Sequence, residues 1–315
     1  MAPSATPARK ERDVISIADL SSNIETLLKR AAELKELRRL RKPHRNFEGR
    51  AMAMIFEKPS TRTRSSFELA MTDLGGHAVY LSSKDMQLGR GETISDTARV
   101  LSRYYDVIMY RAFRHEDMLE LAKWATIPVI NGLDDIEHPC QIVADLLTLW
   151  ERWGGKFSSR QLTYIGDGNN VLNSLMLGAA MVGLDFVAAT PPGYRPKPWV
   201  IKRAESLSLA KGSTVRVVDS PEEAAKGADA LYTDVWISMG DEAQEKQRMA
   251  AFKGYQINSH LLSIAKKGAF ALHDLPAHRG LEITDEVMDG PDQAIWDQAE
   301  NRLHAQKAIL EYVLS

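Results

Sequence analysis

The chain has 315 residues, of which 44% are apolar and 26% are charged, and its formal net charge at pH 7 is −2. This is the composition of an ordinary globular protein, with enough length for two domains. The near-neutral charge argues against binding to nucleic acid or to membrane surfaces through bulk charge. The single cysteine, Cys140, excludes an intramolecular disulfide and a multi-cysteine zinc site.

The first ten residues, MAPSATPARK, lack the apolar core of a secretory signal. We therefore expect a cytoplasmic protein with a short polar tail.

The first half of the sequence begins with a helical pattern, and short apolar runs then alternate with further helical stretches. Apolar residues at helical spacing predict one long helix over Ile17–Arg41, which Pro43 ends. The apolar runs predict strands at Ala51–Phe56, Ala78–Leu81, Val107–Tyr110 and Pro128–Asn131. Strands that alternate with helices indicate parallel sheets covered by helices.

The second half repeats this alternation after a helix at Gln141–Arg152. Its predicted strands are Leu162–Gly166, Phe186–Ala189, Thr214–Val218, Ala230–Val235 and Ala269–Leu272, and a long amphipathic helix covers Ala299–Leu314. We therefore predict an α/β protein with two doubly wound domains, each a central parallel sheet flanked by helices. The expected domains are residues 1–145 and 146–315, and the C-terminal helix is expected to pack back on the first domain.

The segment Ser60-Thr61-Arg62-Thr63-Arg64 leaves a predicted buried strand and enters a helix. Ser60 is suited to cap that helix, and the free N–H groups of the first turn, the hydroxyls and the arginines favour an anion such as a phosphate ester. These residues alone are equally consistent with a well-capped helix that carries solvated arginines. The segment is not a Walker loop, because the chain has no GxxxxGK[ST].

Three further polar residues follow predicted strands of the first half. Arg111 follows a buried strand at the end where ligands of open α/β sheets bind, and His138 and Gln141 begin a helix. A histidine and a glutamine there are able to polarise a carbonyl group. Taken singly, each residue is at least as readily a solvent-exposed arginine or a capping side chain.

The second half has two comparable turns. Gly166-Asp167-Gly168-Asn169-Asn170 is similar to a dinucleotide-binding turn, but Val171 stands where the third glycine belongs. Asn170 is therefore as readily a helix cap as a substrate contact, and Asp234 is a candidate partner for an ammonium group or a second capping residue. His273 and His278 lie five apart around a proline, so we do not expect a metal site. Arg302 is by default a solvated helix residue.

Together these segments resemble the aspartate/ornithine carbamoyltransferase family, and its ornithine branch in particular, from about Phe56 to the C-terminal helix. The sequences STRT at 60–63 and HPCQ at 138–141 are typical of the whole family. The sequence DVWISMG at 234–240 and the segments LPAHRG and DQAENRLHAQ near the C-terminus are typical of the ornithine branch.

The resemblance implies transfer of a carbamoyl group from carbamoyl phosphate to the δ-amine of L-ornithine. It implies a homotrimer or a multiple of trimers, with no cofactor, no metal, no nucleic acid and no membrane. The implied contacts of carbamoyl phosphate are Ser60, Thr61, Arg62, Thr63, Gln87, Arg111, His138, Gln141, Leu275 and Arg302, with Gln87 from a neighbouring subunit. The implied contacts of ornithine are Asn170, Asp234, Ser238 and Met239, and the implied catalytic residues are Arg111, His138 and Asp274.

One residue departs from the family pattern. Asp274 stands where the ornithine branch has the cysteine of His-Cys-Leu-Pro. Two alternatives follow: a carbamoyltransferase for another amine, such as putrescine, acetylornithine or aspartate, or a catalytically impaired homologue that binds carbamoyl phosphate. The SMG loop and Asp234 favour an amine that carries an α-carboxylate.

Overall fold

A computed structural model describes residues 12–89, 91–237 and 242–315. The chain divides into two compact units, one of which contains the described residues up to Leu147 together with Asn301–Ser315, while the other spans Thr148–Glu300. The division falls within two helices, α5 (Pro139–Arg152) and α12 (Ile295–Leu314). Among the described residues, no helix is both long and apolar enough to cross a membrane.

The first unit contains a parallel sheet of four strands, in the order β2-β1-β3-β4. These strands are β1 (Ala51–Phe56), β2 (His77–Ser82), β3 (Val107–Arg111) and β4 (Val129–Leu133). The central strands β1 and β3 are almost wholly buried, as expected for a parallel sheet covered on both faces. The predicted strands of this half are confirmed.

The helices of the first unit differ from the prediction at the start of the chain. Besides α5 and the end of α12, they are α1 (Ile24–Arg39), α2 (Thr61–Asp73), α3 (Ile94–Tyr104) and α4 (His115–Trp124). The single helix predicted over Ile17–Arg41 is wrong, because a 3-10 turn at Ile17–Leu20 precedes α1. Ser16 and Asp19 form a capping box on that turn, and the turn residues 21–23 separate it from α1.

The C-terminal helix packs on the first unit, as predicted. Arg30 Nε lies 2.6 Å from Glu311 Oε2, and Lys35 Nζ donates to Asn301 Oδ1 at 2.8 Å. Lys307, which is 4% exposed in its side chain, forms an ion pair with Asp73 of α2. The contacts of α12 with α1 and α2 therefore include ion pairs and hydrogen bonds between side chains.

The second unit contains a parallel sheet in the order β7-β6-β5-β8-β9. The strands are β5 (Gln161–Ile165), β6 (Asp185–Ala189), β7 (Val215–Val218), β8 (Ala230–Thr233) and β9 (Phe270–His273). The helices are α6 (Asn170–Met181), α7 (Pro198–Lys211), α8 (Pro221–Ala225), α9 (Glu245–Ala251), α10 (Ser259–Ile264) and α11 (Asp285–Asp289), in addition to the ends of α5 and α12. The α/β class and the two parallel sheets are thus confirmed.

Each sheet has a point at which the strand order reverses. In the first unit it lies between β1 and β3, and in the second unit it lies between β5 and β8. At such a point the connections that leave the two strands run to opposite faces, and the crevice beyond their carboxyl ends is the usual ligand site of an open α/β sheet. This topology therefore favours two ligand-binding crevices, one in each unit.

Candidate functional site

The first of these places is formed by the start of α2 and the end of β3. Strand β1 ends at Phe56, which pairs in register with Arg111, the last residue of β3. Ser60 caps α2, because its hydroxyl accepts a hydrogen bond from Thr63 N at 3.2 Å. The first turn of α2 thus presents its N–H groups and the Arg62 side chain at the carboxyl end of the sheet, which is a favourable place for an anion.

Thr63 is the centre of a buried polar cluster. It is 1% exposed, and its Oγ1 lies 3.0 Å from Arg302 Nη2 and 3.5 Å from Arg111 Nη1. Arg302 also donates to Gln141 Oε1. Arg302 is only 3% exposed, so its interpretation as a solvated helix residue is wrong. Helices α2, α5 and α12 and strand β3 each contribute one side chain to this cluster.

The orientation of the Gln141 amide follows from its two partners. Its Nε2 donates to Asp145 Oδ1 at 2.8 Å, and its Oε1 accepts from Arg302. Only this orientation satisfies both neighbours, because a carboxylate accepts and a guanidinium donates. Asp145 is fully buried one helical turn beyond Gln141 and supplies negative charge behind the arginine-rich cluster.

His138 lies in the field of the same arginines. The side chain is 4% exposed, and its pKa is well below the usual value, first because of burial and then because of Arg302, Arg111 and Arg62. The imidazole is therefore neutral near pH 7 and is able to donate one hydrogen bond and to accept another. The positive field that keeps His138 neutral also favours a negatively charged ligand nearby.

The turn before His138 is built on Asp134, which sequence reasoning missed. Asp134 Oδ1 accepts from the backbone N–H groups of Ile136 and Glu137 at 2.8 and 2.7 Å. Its Oδ2 lies 2.7 Å from His115 Nδ1, and this contact raises the pKa of His115. An aspartate that hydrogen-bonds to the backbone two residues on is a common turn former, so the sequence LDDIEHP contained a usable signal.

Gln87 is not part of this cluster in the described chain. It is exposed in a 3-10 turn at Gln87–Gly89, and no side-chain hydrogen bond links it to the residues around Thr63. Of the other residues predicted to contact carbamoyl phosphate, Leu275 belongs to the second unit. The rest belong to the first unit, namely Ser60, Thr61, Arg62, Thr63, Arg111, His138, Gln141 and Arg302.

The second place lies beyond β5 and β8, where Gly168 and Asn169 form a tight turn. A Cβ on Gly168 would come within 2.4 Å of the backbone carbon of Arg195, and Gly168 N donates to Tyr194 O at 2.9 Å. The glycine is therefore required by the close approach of two backbone segments, which explains the motif without a dinucleotide. Asn169 caps α6 by accepting from Val171 N at 3.0 Å.

Asn169 also orients the carboxylate of Asp234. Its Nδ2 donates to Asp234 Oδ2 at 2.6 Å, while Asp234 Oδ1 accepts from Val235 N at 2.7 Å. Asp234 is 6% exposed at the end of β8. The sequence singled out Asn170, and the structure adds its neighbour Asn169 as the residue in contact with Asp234. Ser238 and Met239, also predicted for this site, lie outside the described residues.

A buried ion pair is formed by Asp167, the residue before Gly168, and Arg248. Arg248 Nη1 lies 2.8 Å from Asp167 Oδ2 and 3.1 Å from Trp236 O, and the guanidinium lies 5.2 Å from the centre of the Tyr194 ring. Arg248 thereby joins α9 to the ends of β5 and β8. Sequence reasoning missed this residue, since nothing around it in QEKQRMAAF indicates burial.

Asp234, His273 and Asp274 form a group in which one ligand atom of each lies within 4.8 Å of the others. Two carboxylates and an imidazole suit a divalent cation, and the two carboxylates equally suit an ammonium group. His273 Nδ1, however, already accepts from Leu275 N at 2.9 Å, so a cation at that atom would displace this hydrogen bond. His278 is not a member of the group. The arrangement favours the ammonium group.

Tyr164 lies within the field of these carboxylates. Its ring stacks on Tyr232 at 5.9 Å, and it is fully buried. Its pKa is raised well above the usual value, first by burial and then by Asp234 and Asp167. The phenol therefore keeps its proton at all ordinary pH values and remains a hydrogen-bond donor next to the carboxylates.

Comparison with known proteins identifies two family domains that together span most of the chain. Residues 12–151 match the carbamoyl-P binding domain of aspartate/ornithine carbamoyltransferase, and residues 158–313 match its Asp/Orn binding domain. The first match contains Thr63, Arg111 and Gln141 of the buried cluster, and the second contains Arg302, Asp234 and Asp274.

Individual relatives agree with these matches. The chain is 52% identical to the anabolic ornithine carbamoyltransferase of Pyrococcus furiosus over 96% of each chain. It is also 52% identical to the catabolic ornithine carbamoyltransferase of Thermoplasma volcanium, over 97% of this chain and 99% of the relative. The solved structure of the Pyrococcus furiosus enzyme superposes with a TM-score of 0.93 over 98% of both chains at 51% identity. The chain therefore belongs to the aspartate/ornithine carbamoyltransferase family.

Proposed function

We propose that this protein transfers the carbamoyl group of carbamoyl phosphate to the δ-amine of L-ornithine, giving L-citrulline and phosphate. The observation that carries the proposal is the buried cluster of Thr63, Arg111, Gln141 and Arg302 beside a neutral His138. High identity to proteins named ornithine carbamoyltransferase over almost the whole chain supports ornithine as the acceptor.

The reaction joins one nitrogen to one carbon and releases phosphate. The lone pair of the neutral δ-amine attacks the carbamoyl carbon, and the bond from that carbon to the phosphate oxygen breaks. Phosphate leaves with the bonding electron pair, and the nitrogen loses a proton. Because phosphate is already a good leaving group, the proposed mechanism needs neither an organic cofactor nor a metal.

We assign the first unit to carbamoyl phosphate. The phosphate would accept hydrogen bonds from Ser60, from the first-turn N–H group at Thr61, from the Thr63 hydroxyl and from the Arg62 guanidinium. This set supplies positive charge for a group that gains negative charge as it leaves. A neighbouring copy of the chain would contribute Gln87, which is exposed in its own subunit.

The carbamoyl oxygen gains negative charge when the amine attacks. Donors that already point at this oxygen stabilise the transition state more than the ground state. Thr63, Arg111 and His138 are the candidates, because they lie in one cluster and the neutral imidazole is able to donate. Gln141 and Arg302 would hold the carbamoyl end in place, together with Leu275.

We assign the second unit to ornithine. Asp234, whose carboxylate is oriented by Asn169, would bind an ammonium group of the substrate. Asn170, Ser238 and Met239 are proposed to contact the rest of the amino acid. Asp274 belongs to the same group as Asp234 and is proposed to lie near the reacting amine.

We further propose that the protein works as a homotrimer or a multiple of trimers. Gln87 is exposed, and in this proposal it completes the phosphate site of a neighbouring subunit. Each site would then contain residues from two subunits. The cytoplasmic location expected from the sequence stays a prediction.

The test is a steady-state assay of the purified protein with carbamoyl phosphate and one amine at a time. Ornithine, putrescine, acetylornithine and aspartate are offered separately, and the carbamoylated product and the released phosphate are measured. We expect the highest kcat/KM with ornithine. A preference for any other amine contradicts the proposed acceptor, and phosphate release without a carbamoylated amine contradicts transfer altogether.

A further inference from the structure

The backbone at Leu275 is held in an unusual conformation directly after β9. Leu275 has φ of +62°, in the left-handed region that residues with a Cβ rarely adopt. Its N–H donates to His273 Nδ1 at 2.9 Å. A residue in this region persists only where its surroundings hold it there, and the imidazole of His273 is one group that does so.

Glu282 fixes the state of that imidazole. His273 and Glu282 are both 0% exposed, and His273 Nε2 lies 3.1 Å from Glu282 Oε1. Because Nδ1 accepts from Leu275, the ring proton is on Nε2, and Nε2 donates to Glu282. A carboxylate only accepts, so it selects this tautomer. The same Oε1 also accepts from His278 N at 2.5 Å, which ties the far side of the loop to Glu282.

The hydrogen bond between Leu275 and His273 constrains Asp274, because Asp274 lies between these two residues in the chain. His273 is the last residue of β9 and Leu275 is the strained residue after it, so the backbone of Asp274 is held on both sides. The Asp274 carboxylate lies 3.7 Å from His273 Nδ1, in the group that also contains Asp234. A change of tautomer would remove the acceptor for Leu275 and release Asp274 from this place.

We propose that Glu282 is a positioning residue for ornithine binding, which acts through the tautomer of His273 to place Asp274 next to Asp234. The inference rests on the proposed function, in which Asp234 and Asp274 face the amine substrate. Glu282 itself is fully buried behind His273 and contacts neither substrate in this scheme. It holds the site for the amine and leaves the anion cluster of the first unit unaffected.

Steady-state kinetics with both substrates varied separate this role from general support of the fold. We expect Glu282→Ala to raise the KM for ornithine about tenfold or more, since it removes the acceptor of the buried His273 N–H and of the part-buried His278 N–H and so releases Asp274 from the ornithine site. The KM for carbamoyl phosphate should stay within about twofold of the parent value. Glu282→Gln should keep the KM for ornithine close to the parent value, because its amide oxygen is able to accept the same two hydrogen bonds. Glu286→Ala, at an exposed position four residues on, is the matched control.

A double-mutant cycle with His273→Asn tests the route through the imidazole. The amide oxygen of asparagine is able to take the place of Nδ1 and accept from Leu275, but the side chain is too short to reach Glu282. In this background we expect Glu282→Ala to raise the KM for ornithine by less than about twofold. The effects of two residues that act through one another are not additive. The cycle also remains informative if Glu282→Ala alone folds poorly, since Glu282→Gln and His273→Asn carry the comparison.

Three results overturn the inference. They are an unchanged KM for ornithine in Glu282→Ala, an equal rise in both KM values, and independent, additive effects on the KM for ornithine in the cycle. A parent protein that does not carbamoylate ornithine overturns the proposed function as well. An active parent with an unaffected Glu282→Ala variant overturns the positioning role alone.

Discussion

Arg302 Nη2 lies 3.0 Å from Thr63 Oγ1, although 239 residues separate the two in the chain. Both side chains are buried, and Arg302 reaches Gln141 with its other terminal nitrogen. A long buried arginine with two acceptors is costly to move, because its charge must stay hydrogen-bonded. Arg302 therefore fixes the start of α2, the start of α5 and the middle of α12 in one arrangement.

Arg62→Ala should weaken binding of carbamoyl phosphate and lower kcat. A charge-assisted hydrogen bond of about 1.5–3 kcal/mol corresponds to a loss of about 10- to 150-fold. The measurement is a saturation curve for carbamoyl phosphate at fixed ornithine. Arg64→Ala is the matched control, because Arg64 belongs to the same segment but stacks on Tyr80 at 3.9 Å and is exposed. Equal effects of the two changes would contradict a phosphate role for Arg62.

Arg302→Lys should impair the protein even though the charge is kept. A lysine ammonium is a single point of charge, and it does not reproduce the fork that reaches Thr63 and Gln141 together. We expect a rise of about tenfold or more in the KM for carbamoyl phosphate, corresponding to about 1.4 kcal/mol or more of binding free energy. Isothermal titration with carbamoyl phosphate or inorganic phosphate checks this. Unchanged affinity would show that one cation at this position is sufficient.

Asp234→Asn should act on the other substrate. The amide keeps the shape of the side chain but loses the charge that would pair with an ammonium group. We expect the KM for ornithine to rise about 10- to 100-fold, as for the loss of a charged hydrogen bond, and the KM for carbamoyl phosphate to change little. Equal changes in both constants would make Asp234 a structural residue that braces the turn at Asn169.

Asp274→Cys should raise kcat near neutral pH. The attacking δ-amine must be neutral, while a free alkylamine of this type has a pKa of about 10.4. A carboxylate next to the amine favours its protonated form, and so binds the state that does not react. The parent should therefore gain activity steeply toward alkaline pH, and the cysteine variant less so. A cysteine variant that is slower at every pH would make Asp274 a working catalytic residue.

His304 should make the protein less stable in acid. The side chain is buried on α12, and burial together with Lys307 lowers its pKa to about 3. Since an unfolded histidine titrates near 6.5, below that pH the unfolded chain takes up a proton that the folded chain does not. This costs about 2 kcal/mol of stability between pH 7 and pH 5.

Thermal unfolding at pH 7 and pH 5 measures the effect. His304→Gln should show a smaller loss on acidification than the parent, whatever its stability at pH 7. His260→Gln changes an exposed histidine and should lose as much as the parent. If all three proteins lose equally, His304 does not contribute to acid instability.

The sequence predicted most of the fold because parallel strands have a strong local signal. Runs such as Ala51–Phe56 are apolar throughout and are bounded by polar turns, so they are visible without knowledge of their neighbours. The start of the chain was predicted less well. The apolar spacing continues from Ile17 into α1, but a capping box at Ser16 favours a separate turn. The spacing of apolar residues carries no information about those hydrogen bonds, so it does not predict where the turn ends and the helix begins.

The candidate site was predictable where its residues lie in one segment and not where they meet through the fold. Ser60 and Thr63 predict a capped helix after a strand, and the structure contains that helix with its cap. Arg302, Arg248 and Glu282 are charged residues with ordinary neighbours, and their burial depends on partners far away in the sequence or across a loop. For Arg302 only the family resemblance supplied the role.

The return of α12 has a consequence for synthesis of the protein. The first unit requires residues 301–315, and Arg302 completes its polar cluster. During translation, a chain that has already emerged as far as Leu147 still lacks this helix, and the ribosome must make all of the second unit before supplying it. A nascent chain that ends before Asn301 should therefore leave Thr63 without Arg302 and bind carbamoyl phosphate poorly. The proposed anion site is thus completed last, although most of its residues are synthesised first.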